Sequence, residues 1–214
     1  MDTLEIPILE TERLRLRPLR RSDIDDYAAM YADPEVVRYM AGAGGPWDRG
    51  RAWRHLAFLI GHWQLGGCGE WAVELKESGA FVGVVGFCEP AGWPGFELAG
   101  TLARRWWGNG YATEAARTAL DHAFTVWQKE RVISLVNPEN CASIRVVERL
   151  GQTLQGRTDL FGREMLCYGI ERKDGIHLRT DRQYSSYSAP NSRLSEGSSM
   201  TRTTRWNMSA TPIP

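Results

Sequence analysis

Arg104-Arg105-Trp106-Trp107-Gly108-Asn109-Gly110-Tyr111-Ala112-Thr113-Glu114-Ala115 is the stretch that decides the fold. A strand-like run, Phe96 to Ala103, leads into it, and an alanine-rich pattern of helical period leads out. Two glycines one residue apart at the mouth of a helix leave several backbone N–H groups bare and pointing the same way. They sit at the positive end of the helix dipole, worth roughly half an elementary charge, so the turn suits an anion such as a phosphate. Asn109-Gly110 alone could make a hairpin turn, but the helical segment after it excludes one. A dinucleotide-binding turn would want a third glycine and an acidic residue on the next strand. A P-loop would want Gly-Lys-Ser/Thr, which is absent. The remaining reading is a compact pyrophosphate cradle that needs no metal.

Upstream of this turn, Arg13 to Arg17 alternates at period two and stops at Pro18, as a first strand does. Ser22-Asp23-Ile24-Asp25 reads as a capping box opening a helix through about Ala32, and Asp33-Pro34 restarts a short one ending near Tyr39. A glycine-rich loop, Ala41 to Pro46, precedes helical spacing from Arg51 to Leu65, with Trp53, Leu56, Ile60 and Trp63 on the apolar side. Trp71 to Leu75 and Phe81 to Cys88 read as strands. Downstream, Tyr111 to Trp127 is a helix whose buried stripe is Ala112, Ala116, Ala119, Leu120, Ala123 and Trp127. Val132 to Val136 is a strand, Asn140 to Leu150 a helix stopped by Gly151, and strands follow near 152–156 and 165–170. Antiparallel strands come first and a strand–helix–strand–helix–strand unit second, which predicts a mixed sheet in an α/β domain.

The 214 residues are enough for one domain with a sizeable core, expected over 1–174. From Gly175 the character changes: 13 of the last 40 residues are Ser or Thr, and five Arg face only Asp181 and Glu196. That composition predicts a disordered tail over 175–214 rather than a second domain. Lys+Arg and Asp+Glu balance at 26 each, which gives no signal for nucleic acid or an anionic membrane surface. No apolar run approaches the ~18 residues of a membrane span, and Met1 to Glu5 lacks a signal-peptide start. Cys68, Cys88, Cys141 and Cys167 form no CxxC and stand at no metal spacing from a histidine. His55 and His62 stand seven apart without a third ligand. The chain is thus expected to be cytoplasmic, metal-free, with reduced structural thiols, and a monomer or homodimer.

With Arg105-Trp106-Trp107-Gly108-Asn109-Gly110 matching an Arg/Gln-x-x-Gly-x-Gly/Ala loop, the sequence resembles the GNAT superfamily of acyl-CoA-dependent N-acetyltransferases. The Trp-Gly-x-Gly-Tyr-Ala-Thr-Glu-Ala version resembles the branch that includes ribosomal-protein N-terminal acetyltransferases. The resemblance spans roughly Thr11 to Arg172 and is strongest from Glu97 to Gly151. It implies the GNAT fold, a mixed twisted sheet of about six to seven strands with helices on both faces. It also implies acetyl-CoA as co-substrate, with its pyrophosphate on the amides around Gly108, Asn109, Gly110, Tyr111, Ala112 and Thr113, flanked by Arg105 and Trp107. The pantetheine would run along the strand end at Leu102 and Ala103.

Asn137-Pro138-Glu139-Asn140-Cys141-Ala142-Ser143 is a plain helix start, with Asn140 a good N-cap. The resemblance gives Asn140 a second role in hydrogen-bonding the cofactor along its pantetheine arm, and Ser143 a place near the sulfur, where a hydroxyl can protonate or hydrogen-bond the departing thiolate. Many family members use a tyrosine there. Alternation puts Glu97, Ala99 and Thr101 on one strand face. A lone glutamate among small residues is a solvated face or a site carboxylate. Deprotonating a lysine-like amine at pH 7 costs about 4–5 kcal/mol, and an α-amine about 1 kcal/mol, so a carboxylate base is useful. The family also places a base candidate on this strand. Trp53, Trp63 and Trp127 fall at core spacings, whereas Tyr39, Trp47 and Trp93 flank loops and are candidate walls of an acceptor pocket. That pocket would involve the Tyr39–Trp47 region and the loop around 160–163. One departure from the family pattern is Gln152, where an apolar residue usually follows Leu-Gly. The reaction implied is acetyl transfer to a primary amine, of a protein N-terminus or a small molecule; the alternative is a non-catalytic acyl-CoA-binding module.

Overall fold

The computed structural model describes residues 4–42 and 44–172; the Ser/Thr-rich tail expected over 175–214 lies outside the described residues. Eight strands form one sheet: β1 (Leu9–Glu10), β2 (Leu14–Arg17), β3 (Glu70–Leu75), β4 (Phe81–Cys88), β5 (Glu97–Leu102), β6 (Arg131–Val136), β7 (Thr153–Leu160) and β8 (Arg163–Glu171). Their order is β1-β2-β3-β4-β5-β6-β8-β7, antiparallel except where β5 meets β6. The expected mixed sheet is present, with one strand more than the sequence suggested. The extra strand is the two-residue β1, too short to show a period.

Period-two alternation sorts the strand residues onto two faces. Trp71, Val73, Val82, Val85, Leu98 and Leu102 turn to the face covered by α4 (Tyr111–Thr125), which buries Ala115, Ala116, Ala119, Leu120 and Ala123 against them. The small alanine stripe lets the helix backbone come close to the sheet, and Trp63, Trp71 and Trp127 fill the space beyond its end. On the opposite face, Ala72 and Val84 meet α1 (Ile24–Tyr31), α2 (Pro34–Val37) and α3 (Arg49–Gly66) through Tyr27, Tyr31, Leu56 and Leu59. The fifth helix, α5 (Cys141–Arg149), lays Val147 against Val136, Leu166 and Tyr168.

Local details depart from the sequence reading in two places. Trp53, expected in the core, is 59% exposed, because α3 turns Leu56, Leu59 and Trp63 inward and leaves Trp53 and Ile60 outside. Ser22 does not cap α1; Asp23 occupies the N-cap position without a side-chain cap bond. Its carboxylate is drawn instead to Arg17, at 2.8 and 2.9 Å, and to the Arg20 N–H. Arg17 also donates to Glu74 at 2.7 Å, so one buried guanidinium ties β2, β3 and the entry to α1 together. By contrast Asp33, Asp48 and Asn140 each cap a helix with the side chain, accepting from the N–H of Glu35, Arg51 and Ser143.

A candidate active site at a fork in the sheet

β5 and β6 run parallel for one residue pair, Glu97 opposite Ile133, and then part. The Ile133 N–H still donates to the Phe96 carbonyl at 2.9 Å. At the next rung side chains replace backbone. The Leu135 N–H donates to Glu97 Oε1 at 3.2 Å, and the Ser134 hydroxyl donates to the Leu98 carbonyl at 2.9 Å. Gln152 Nε2 in turn donates to Ser134 Oγ at 3.0 Å, which explains the polar residue at a buried position after Leu150-Gly151. Beyond this rung, Gly100 is left without a β6 partner, and the Leu102 carbonyl accepts from Trp107 Nε1 at 2.8 Å. Ala103 is held on the other side, its N–H donating to Val82.

The glycine turn lies at the open end of this fork. Gly108 and Gly110 both have φ of +80°, a conformation that costs other residues about 1–2 kcal/mol. The Glu114 N–H closes the first helical bond, to Gly110. No described residue accepts from the N–H groups of Gly108, Asn109, Gly110, Tyr111, Ala112 or Thr113. Asn109 spends its side-chain amide on the Trp106 and Trp107 carbonyls, which fixes the turn. Arg105 reaches away from the turn, to Asp26 and the Phe81 carbonyl. A different cation lies beside it: the Arg13 guanidinium sits 4.6 Å over the Tyr111 ring and pairs with Glu114. Sequence reading missed Arg13, since its partner is 101 residues away and only folding brings the two together. This array of open donors beside a positive charge fits a diphosphate.

On the face covered by α1 and α3, Glu97 is 7% exposed. Trp93 Nε1 donates to its Oε2 at 2.6 Å, while Leu135 donates to Oε1. Burial pushes the carboxyl up to about 7, against the pull of these two donors. A second carboxyl, Glu70, stands on the same face. Register places it opposite Gly86, which is opposite Ala99, two residues along β5 from Glu97. Only glycine fits at 86, because a Cβ there would come within 2.3 Å of the Gly69 carbonyl oxygen. Glu70 is 8% exposed, and burial together with the Glu97 charge lifts it to about 8. Sequence reading began the strand at Trp71 and so passed over Glu70; the alternation Glu70, Ala72, Glu74 was the available signal.

Of the three aromatic wall candidates, Trp93 contacts Glu97 directly and also approaches Phe161, with ring centroids 6.0 Å apart. Trp47 is buried and stacks on Tyr31 at 4.3 Å, with its indole N–H unpartnered among the described residues. Tyr39 is partly exposed beneath the Arg38 guanidinium. Asn140 Oδ1 is used by the helix cap, leaving its amide N–H₂ to donate, and Ser143 lies half-buried one turn along. Among the described residues no group of three His, Cys, Asp or Glu could hold a metal ion, and no helix is long and apolar enough to cross a membrane.

A mixed sheet split at one parallel junction, with a donor-lined glycine turn at the split, defines an α/β acyltransferase scaffold. The chain belongs to the GNAT family of acetyltransferases: the model of the acetyltransferase (GNAT) domain matches residues 13–153. It is similar to the uncharacterized N-acetyltransferase p20 of Bacillus licheniformis, 31% identical over 150 residues that make up 69% of this chain and 83% of that one. Among solved structures it is similar to an acetyltransferase from Agrobacterium tumefaciens, with 33% identity, a TM-score of 0.70, and coverage of 79% of this chain and 96% of that one. Its fold is also that of Mycobacterium smegmatis RimJ in complex with CoA-disulfide, at 23% identity and a TM-score of 0.63, covering 74% and 81% of the two chains. The protein is therefore an N-acetyltransferase of the acetyl-CoA-using GNAT type.

Proposed function

We propose that the protein moves an acetyl group from acetyl-CoA to a primary amine, of a small molecule or a protein N-terminus, by direct attack of the amine on the thioester. The observation that carries this reading is the position of Glu97, a buried carboxyl at the point where β5 and β6 part. Open N–H groups for the pyrophosphate lie at one end of the same cleft. Gly100 supplies an unpaired strand edge for the pantetheine arm, and Asn140 supplies an amide donor from the facing helix.

Glu97 takes a proton from the acceptor ammonium, and a carboxyl held near 7 suits that task at neutral pH. The freed lone pair forms the N–C bond to the thioester carbon, a backbone N–H holding the oxyanion. The C–S bond then breaks, the Ser143 hydroxyl hands the sulfur its proton and regains one shed by the new amide nitrogen, and the proton on Glu97 passes to solvent. One acetamide, one free thiol and one proton released to solvent account for each turnover. No residue becomes acylated.

The test is release of free CoA thiol from acetyl-CoA in the presence of a panel of primary amines. Amine-dependent thiol release is expected. Binding of acetyl-CoA with no acceleration by any amine would instead identify a non-catalytic acyl-CoA-binding module.

A further inference from the structure

Two buried carboxyls share the face on which the acceptor is placed, and their hydrogen-bond accounts differ. Both oxygens of Glu97 already accept, one from Trp93 and one from Leu135. Neither side-chain oxygen of Glu70 accepts from any described residue, although the residue is more than nine-tenths buried. The groups that face it are Glu97 from β5, the Cys88 thiol from β4, and the Tyr27 and Tyr31 hydroxyls from α1. None of these is a cation. Neither oxygen is among the fully enclosed unpartnered atoms, so the carboxyl keeps an opening through which an outside donor can reach it. The Trp47 indole, stacked on Tyr31 at 4.3 Å, already carries the Arg51 guanidinium over its ring, so the charge Glu70 lacks is not supplied from that side.

Building on the acetyltransferase reading, we propose that Glu70 is the acceptor-ammonium-binding residue, and that it restricts the pocket to cationic amines with no carboxylate beside the amine. An arriving ammonium supplies the donors Glu70 lacks, draws it into its ionised form and offsets its repulsion from Glu97. The Glu70 carboxylate holds the nitrogen while Glu97, two residues along β5 from the row of Glu70, receives the proton. An acceptor with its own carboxylate next to the amine brings a third negative charge into a desolvated site. Free α-amino acids are thereby disfavoured. Simple amines, α-amino amides and peptide N-termini, in which that carboxyl is tied up in an amide, are admitted.

Alanine and alaninamide are compared because they share one carbon skeleton; the amide also lowers the pKa of the amine, so the test reads the change in their ratio between variants rather than the ratio itself. Steady-state thiol release is measured for both, with acetyl-CoA varied separately, in the wild type, Glu70→Gln and Glu70→Asp. The wild type is expected to favour alaninamide. Glu70→Gln should raise the KM for alaninamide by about tenfold or more, the loss of one charge-assisted hydrogen bond, and narrow the preference, with the KM for acetyl-CoA unchanged. Methoxyamine, which is neutral at the assay pH, should be affected far less than alaninamide. Glu70→Asp keeps the charge on a shorter arm. It should retain the preference while raising the alaninamide KM, and it serves if the Gln variant does not fold. An alaninamide KM that stays put in either soluble variant, or an unchanged preference in Glu70→Gln, overturns the assignment. If no amine is acetylated by the wild type, the acetyltransfer reading itself falls, and this one with it.

Discussion

Glu97 does two jobs that are usually separate. Its Oε1 completes the β-ladder at Leu135, where the strands part, and in the proposed mechanism its carboxyl serves as the base. Glu97→Gln keeps an oxygen for Leu135 but cannot take a proton. Acetyl transfer should fall by about 10²–10⁴-fold while the acetyl-CoA dissociation constant is nearly unchanged. In the wild type kcat/KM should rise with pH through about 7 and 8, where Glu97 and then Glu70 ionise, and level off above. In the variant that limb should move to higher pH, because only amine that is already neutral reacts. A stopped-time thiol assay across pH 5–9 measures both, and an unchanged rate and profile would remove Glu97 from the chemistry. Stability carries the opposite sign. Glu70 and Glu97 hold folded-state values of about 8 and 7, above the ordinary carboxyl value of 4.5. Their contribution is complete below that ordinary value and is lost as pH rises through 7 and 8. Glu70→Gln, which cannot ionise, should therefore gain in melting temperature relative to the wild type between pH 5 and 8.5. The gain should reach at least about 3 °C, the scale of 1 kcal/mol in a domain this size.

Elements that fold by local rules were legible in the sequence, and junctions between elements were not. The Gly108–Gly110 turn, the alanine stripe of α4 and the Asn140 cap follow from period and cap chemistry, which act within one or two helical turns. The placing of Glu97 on a face with Ala99 and Thr101 follows from alternation alone. Arg17 is different. Its alternation with Leu14 and Leu16 marks only a first strand, yet it is buried between Asp23 and Glu74, the second of them 57 residues away. Arg13 was missed for the same reason, since its partner Glu114 lies 101 residues along the chain; Glu70 was missed because the strand was begun one residue late. Arg17→Leu should lower unfolding free energy by about 3 kcal/mol, because it strands the buried Asp23 carboxylate and leaves the part-buried Glu74 only Arg15; urea titration measures it. Gln152→Leu should be nearly silent, within about 1 kcal/mol. It removes one hydrogen bond to Ser134 but also an unpartnered buried Oε1, and Ser134 keeps its bond to Leu98.

At the scale of the whole domain, the acceptor side of the fork is assembled from three segments that are remote in sequence. Phe161, at the tip of the β7–β8 hairpin, lies over Gly42, within 3.5 Å of where a Cβ would sit, and approaches Trp93, which holds Glu97. Arg163 reaches the Met40 carbonyl across the same gap. These contacts lie on loops and at a hairpin tip, where change is tolerated by the scaffold, whereas the donor side is built from a helix mouth and strand edges. On the proposed function, this division sets an acyl-CoA half apart from an acceptor half. Phe161 tests that division, because it is 68% exposed and holds a φ of +53°, which glycine adopts without strain. Phe161→Gly should leave stability within about 1 kcal/mol of the wild type, relief of backbone strain offsetting lost contacts. It should change the KM for the amine by at least about threefold, which is a little over half a kcal/mol of binding, and leave the KM for acetyl-CoA as it was. Parallel movement of both KM values would show that the hairpin tip serves the whole cleft rather than the acceptor half.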